Sequence, residues 1–380
     1  MGFGLVITSG DDRAPLQDGL VNRLVEARVE MELSKPTRFA LRFEDDLCAD
    51  EPALGDVPEL AANTRIGLFA LAGDVLECLV YGPVTEVRSA AVLGGPGSWV
   101  EVHGEDRRVE MGRVGVQATY SGRASDAVAL ILQAYEFEPS TQQTLIQYDT
   151  DKNQLTQRAT DLAFVEDLAR RNNMEFWISY EAARAPLSPS IDLTETANFR
   201  TSPRRPQPGD VPQVPSLTAP PDRVLKVNPP RGDCPTVNRF EAKVNHEKPA
   251  AARGFAMTSS EDQAVVEQIV KSTEPVDPGK VLPIAGVKRE VIPPPTANEQ
   301  ESFLSKEAIV NEQSWFVEVD CSTTLEQAGF LVRPHQIVQV AHAGDRLSGA
   351  YQVMKALHVI TSSDHFIDPV LRANGLGQPA

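Results

Sequence analysis

A short apolar stretch occurs twice in this chain, as Ile66–Leu76 (IGLFALAGDVL) and as Ile337–Leu347 (IVQVAHAGDRL). Aligned without a gap, the copies share Ile, Ala, Ala, Gly, Asp and Leu at matching positions. Each copy ends in Ala-Gly-Asp and runs into a second β-rich segment, Leu79–Val87 and Ala350–Ile360 respectively. Gly accepts positive φ and Asp can bond its own turn backbone, so Gly-Asp between two such runs signals a hairpin. Ala-Gly-Asp turns recur by chance in many chains. The matched register points instead to two related β modules, one near each end.

Alternation supports this around the first copy. Val25, Ala27, Val29, Met31 and Leu33 share one face of an extended segment, with Glu26, Arg28, Glu30 and Glu32 on the other. That is the pattern of a strand with one wet face. Phe39–Phe43 and Trp99–His103 alternate in the same way. Residues 1–105 therefore read as a first antiparallel β-barrel module, because an antiparallel sheet must cover or close its edges.

From 106 to 222 the pattern becomes mixed α+β. Gly104–Arg113 reads as an amphiphilic helix. Ser125 is placed to cap a helix over Asp126–Tyr135, and Thr160 one over Asp161–Arg171. A strand follows at Met174–Tyr180, and the Pro-, Ser- and Thr-rich 182–221 reads as a long loop. Residues 223–255, with strands at Val224–Val227 and Phe240–Val244, combine with 311–373 into a second β-barrel module. Residues 256–310 form an insertion, with helices at Ser259–Lys271 and Glu299–Ile309 around a Pro-rich connection, and 374–380 are a tail. The fold class is mainly β with α+β insertions.

Charge narrows the function. The net charge of −17 over 380 residues disfavours binding to nucleic acid and to anionic membrane surfaces. No window approaches the roughly 18 apolar residues of a membrane span. The start, MGFGLVITSGDD, lacks a basic leader, so synthesis in the cytoplasm without a signal peptide is expected. Cys48, Cys78, Cys234 and Cys321 are far apart and form no CxxC pair, which fits isolated thiols rather than a zinc site or disulfide framework.

No catalytic constellation is present: there is no G-x-S-x-G, P-loop or H-E-x-x-H. His335 and His342 flank a predicted strand, while His358 and His365 flank a turn, and packed or surface imidazoles are expected there rather than metal ligands. Glu105/Asp106 and Glu166/Asp167 are sequence neighbours, which do not face each other on a helix. Arg231-Gly232-Asp233 spells an adhesion tripeptide but sits in a Pro-Pro-Arg-Gly-Asp-Cys-Pro turn context. Of Phe176 and Trp177, one must face the core, and the larger ring is expected there. The reading assigns no catalytic, cofactor-binding or metal-ligating residue and no cofactor.

Four segments in order resemble a known family. They are Leu76–Val87 with its GPVTEV, Val102–Arg113 (VHGEDRRVEMGR), Thr160–Ile178 (TDLAFVEDLARRNNMEFWI) and Ser348–Gly377. Their order is similar to that of the baseplate hub proteins of contractile phage tails, the late control protein D family, and of the N-terminal half of the type VI spike protein VgrG. Gly104, Asp106 and Arg107 match the first family segment. Asp161, Leu162, Phe164, Leu168 and Ala169 match the helix, and Gly349, Tyr351, Val353 and His358 the C-terminal strand. Asn172-Asn173 and the long Pro-rich stretch depart from the pattern, and no spike-repeat, lysozyme-like or LysM-like region follows.

The resemblance implies a non-enzymatic structural hub. It would be a homotrimer whose two modules per chain make a pseudo-six-fold ring, joining a hexameric inner tube to a trimeric spike on a separate chain. Baseplate wedge proteins are further expected partners, and assembly in the bacterial cytoplasm into a phage-like tail or injection particle is the implied location. A tail-associated cell-wall hydrolase and a host-surface glycan-binding module are the competing readings.

Overall fold

The computed structural model describes residues 4–45, 54–73, 75–92, 97–149, 154–184, 190–202, 223–257, 265–271, 280–283, 289–292 and 299–377. The alternating segments become strands β1 (Leu5–Ser9), β2 (Leu24–Glu32), β3 (Arg38–Glu44), β4 (Arg65–Ala72), β5 (Val75–Ala90) and β6 (Trp99–Glu105). Helices α1 (Ala124–Ala134) and α2 (Asp161–Arg171) follow, then β7 (Glu175–Arg184) and β8 (Ile191–Arg200). The rest of the chain gives β9 (Val224–Lys226), β10 (Arg239–Val244), β11 (Ala251–Met257), β12 (Val265–Lys271) and α3 (Glu299–Gln313). It ends with β13 (Val317–Thr324), β14 (Ile337–Ala341), β15 (Gly349–Thr361) and β16 (His365–Ala373).

The duplication extends well beyond the hairpin. Neighbouring strands run β2-β3-β6-β5-β4-β1 in the first module and β10-β13-β16-β15-β14-β9 in the second, the same order in both sequence and space. The hairpins keep one register. Phe69 pairs with Cys78, and their aligned counterparts Val340 and Gly349 pair likewise. Gly73 turns the first hairpin at φ 61° and Gly344 lies in the second at φ 81°, the left-handed backbone that favours Gly. The copies have also diverged. β1 runs antiparallel to β4, whereas β9 runs parallel to β14. Leu71 and Val75 at the first tip are exposed and apolar, and their counterparts His342 and Arg346 are exposed and polar.

The two modules are not separate sheets. Each curls around its own core, one holding Ala27, Leu41 and Leu68, the other Val319, Val338 and Ile367. The two are continuous edge to edge, because Lys355–Thr361 of β15 pairs antiparallel with Glu26–Glu32 of β2. The result is one 13-stranded sheet among the described residues. β15 can serve both modules because it is long. Its first half pairs with β14 and its second half with β2 along the same edge, while β16 occupies the other.

Several local expectations are corrected. Ser259–Lys271 is not a helix where it is described, since Val265–Lys271 is β12, paired antiparallel with β11. Its β-branched Val265, Val266, Ile269 and Val270 suit a pleated surface better than a helix. The Pro-rich loop contains β8, which pairs with β7 along ten residues; 203–222 lie outside the described residues. The cap of α1 is Arg123, whose backbone N–H donates to Asp126, and not Ser125. Gly104–Arg113 is mostly strand end and turn, with one short helix at Arg108–Met111. The insertion's own sheet starts at Ala251, inside the stretch assigned to the second module.

Two glycines let β5, β6 and the following turn meet. A Cβ on Gly82 would lie 2.0 Å from the Glu105 carbonyl oxygen, and one on Gly104 would lie 2.2 Å from the Phe39 ring. Both contacts involve packed neighbours with no free space to yield. Gly82→Ala should therefore cost about 3 kcal/mol or more, measured by denaturant unfolding, whereas Gly55→Ala, with open space around its Cβ position, should have little effect.

Candidate functional site

One of the hub-like segments, Gly104–Arg108, lies where the middle domain meets the first module. Asp106 and Arg108 are both buried and joined by two-pronged contact, with Nη2 2.7 Å and Nε 3.0 Å from the carboxylate. Asp106 also accepts from the Thr37 backbone N–H at 2.6 Å. Arg108 donates to the carbonyls of Lys35 at 2.6 Å and Phe176 at 3.0 Å. One ion pair thus clasps the β2–β3 connection to β7. Arg107 extends the clasp, donating to Glu195 of β8 at 2.6 Å and to the Tyr135 carbonyl at 2.8 Å. Gly104 is explained by close packing, and Asp106 and Arg107 by the clasp.

Beside it lies an open cavity of about 480 Å³ lined by Arg13, Arg65, Tyr81, Arg107 and Glu195 among others. Its charges are largely spoken for. Arg65 pairs with Glu110 and Asp11, and the Arg13 Nε donates to the Ile191 carbonyl. Burial raises the Glu195 carboxyl above the usual range, although Arg107 opposes this.

A second polar tie joins the middle domain to the second module. The His335 ring stacks on Trp177, with centroids 4.0 Å apart, and its Nδ1 lies 3.1 Å from Glu175 and 3.2 Å from the Ser202 hydroxyl. Serine, histidine and carboxylate are therefore together, but not as a relay. A general base needs the serine on one ring nitrogen and the acid on the other; here both crowd Nδ1. Ser202 is itself buried and accepts from Gln352 Nε2 at 2.9 Å, and Gln352 accepts from Arg372. Burial lowers the His335 pKa. The group is a structural bridge that sequence spacing could not have foreseen, since Glu175, Ser202 and His335 are far apart in the chain.

Other candidates separate in the same way. His358 and His365 are not independent packed rings, because the Nδ1 of His358 lies 2.9 Å from the Nε2 of His365, with His358 Nε2 donating to the Val332 carbonyl at 3.0 Å. Phe176 is the core-facing ring of its pair, correcting the expectation for Trp177. Asp233 of the Arg-Gly-Asp turn is held by Lys226 at 2.7 Å. Glu166 and Asp167 face apart; Asp167 pairs with Arg171 one turn on. Cys78 and Cys321 are buried thiols whose pKa burial raises, that of Cys321 to about 12, and Cys234 is exposed. Among the described residues no group of three His, Cys, Asp or Glu could hold a metal, and no helix is long and apolar enough to cross a membrane.

This architecture is shared with phage tail proteins and a type VI secretion component. No protein-family model matches the sequence, and no curated protein matches it. The solved tail protein from Neisseria meningitidis MC58 superposes with a TM-score of 0.62 at 10% identity, over 98% of this chain and 97% of that one. The 43 kDa tail protein of prophage MuSo2 from Shewanella oneidensis gives 0.60 at 10% identity, over 97% of each chain. The E. coli c3393 protein, a type VI secretion component described as similar to the T4 tail proteins gp27 and gp5, gives 0.53 at 13% identity, over 98% and 79%.

Two predictions follow from the geometry. Asp106→Ala leaves Arg108 charged and buried without its partner, so it should cost about 3–5 kcal/mol in denaturant unfolding; Asp167→Ala, in a half-buried pair on the helix surface, should cost little. Burial also lowers His358 well below its usual value and His365 to about 4. The unfolded chain then binds more protons than the folded one between about pH 6.5 and pH 4, so stability is full above that window and lost as pH falls through it. Melting scans should show a fall in Tm across this range that is shallower in His365→Gln.

Proposed function

We propose that this chain is the non-enzymatic hub of a contractile injection machine, a phage tail baseplate or related particle. In this reading three copies form a ring of six modules, which joins a hexameric inner tube on one side to a trimeric spike on the other. Baseplate wedge proteins are further partners, and assembly takes place in the bacterial cytoplasm. The observation that carries the reading is the repeated six-strand module, with the same strand order twice in one chain and the two copies joined edge to edge. A chain with two equivalent modules can present three-fold and six-fold faces at once, which is what a junction between a trimer and a hexamer needs. The near full-length likeness to two tail proteins agrees with it.

Light scattering on the purified chain should give three times the chain mass, and electron microscopy a ring with a central channel. Pull-down should recover tube and spike proteins from the same gene cluster. A monomer at micromolar concentration that captures neither partner would overturn the reading.

A further inference from the structure

The junction inside the chain has two unfinished counterparts. Within one copy, β2 lies beside the second half of β15, and both are covered: Ala27 and Val29 are 0% exposed, as are Ala356, His358 and Ile360. The equivalent of β2 is β10, and the equivalent of β15 is β5. Among the described residues β10 pairs only with β13, leaving its outer edge unpaired, and its apolar face of Phe240, Ala242 and Val244 is only partly buried. Among the described residues the second half of β5 likewise pairs only with β6 and has no partner strand along the edge continued from β4. Thr85–Ser89 are exposed on both faces, with Val87 37% exposed. Unpaired strand edges of this kind are templates for another strand.

We infer that a second copy of this chain fills both gaps: the β10 edge of one copy pairs antiparallel with Thr85–Ala90 of the next. This repeats between chains the contact that β2 and β15 make within one, and it rests on the ring proposed above. The contact is head to tail, with different patches on the two sides, so successive copies build a ring when the rotation closes. The faces match. Val87 falls on the same side as Phe240, Ala242 and Val244, opposite Phe240 when the hairpins are superimposed and opposite Val244 when the bulges in β5 and β15 are. On the wet side the facing charges are alike, Glu86 with Glu241 and Arg88 with Arg239 in the first register and Arg88 with Lys243 in the second, and opposite charges meet on the diagonals, Glu86 with Lys243 and Arg88 with Glu241 in both. Within the chain the same position is marked by the Lys355–Glu30 ion pair.

The test uses the full chain with Cys48→Ser and Cys234→Ser, which leaves the buried Cys78 and Cys321 as its thiols. Val87→Cys is combined with Phe240→Cys or with Val244→Cys, and a short bis-maleimide is added. At least one pair should give a ladder of covalent dimers and trimers, several-fold above each single-cysteine variant. Val87→Pro, on an exposed strand half, should leave the melting curve of the monomer close to wild type while shifting the assembly toward monomer. A trimer that persists in Val87→Pro and cross-links in neither pair overturns this interface and leaves the hub reading standing. A chain that stays monomeric throughout overturns both.

Discussion

Everything in this molecule hangs on one backbone ladder, the antiparallel run between Lys355–Thr361 and Glu26–Glu32. It joins strands from near the two ends of the chain and makes one sheet of two modules. It also completes a core. The cluster inside the first module contains Ile360 from β15 and Leu331 from the loop before β14, so second-module side chains finish first-module packing. Backbone pairing at this position satisfies donors and acceptors that would otherwise lie unpaired beside an apolar core.

The middle domain is fixed to this sheet at two points of similar logic. Asp106, Arg107 and Arg108 hold it to the first module, and His335, Ser202, Gln352 and Arg372 to the second. In both, buried charge is matched by carboxylates and by carbonyls. Such groups tolerate substitution poorly because removing one partner strands the other in a low-dielectric setting. This accounts for a motif that looks chemical, Gly-Glu-Asp-Arg-Arg, serving geometry instead.

How much of this was legible depended on the range over which the signal acts. The alternation of Val25–Leu33 and the Gly73 turn are local, and both gave strands where expected. So was the Thr160 cap, whose hydroxyl accepts from the Ala163 N–H at 3.3 Å. Strand β8 carried the same signal in Ile191, Leu193, Ala197 and Phe199, but the surrounding prolines masked it. In Ser259–Lys271 a short apolar run fits helix or strand alike, and its pairing with β11 decided the matter. The clasp residues were visible as a family-like segment, while their partners at Lys35, Thr37 and Phe176 were not. The Glu175–His335 contact was invisible for the same reason: pairing between distant segments leaves no periodic trace.

The two hairpin tips have a consequence of their own. Their backbones keep one register, yet Leu71 and Val75 stand where the other copy has His342 and Arg346. In the proposed ring the tips would alternate greasy and basic around the circumference. A partner that reads only backbone shape would count six identical sites. One that reads side chains would count three, and gene duplication within one chain is what lets a single rim offer both numbers.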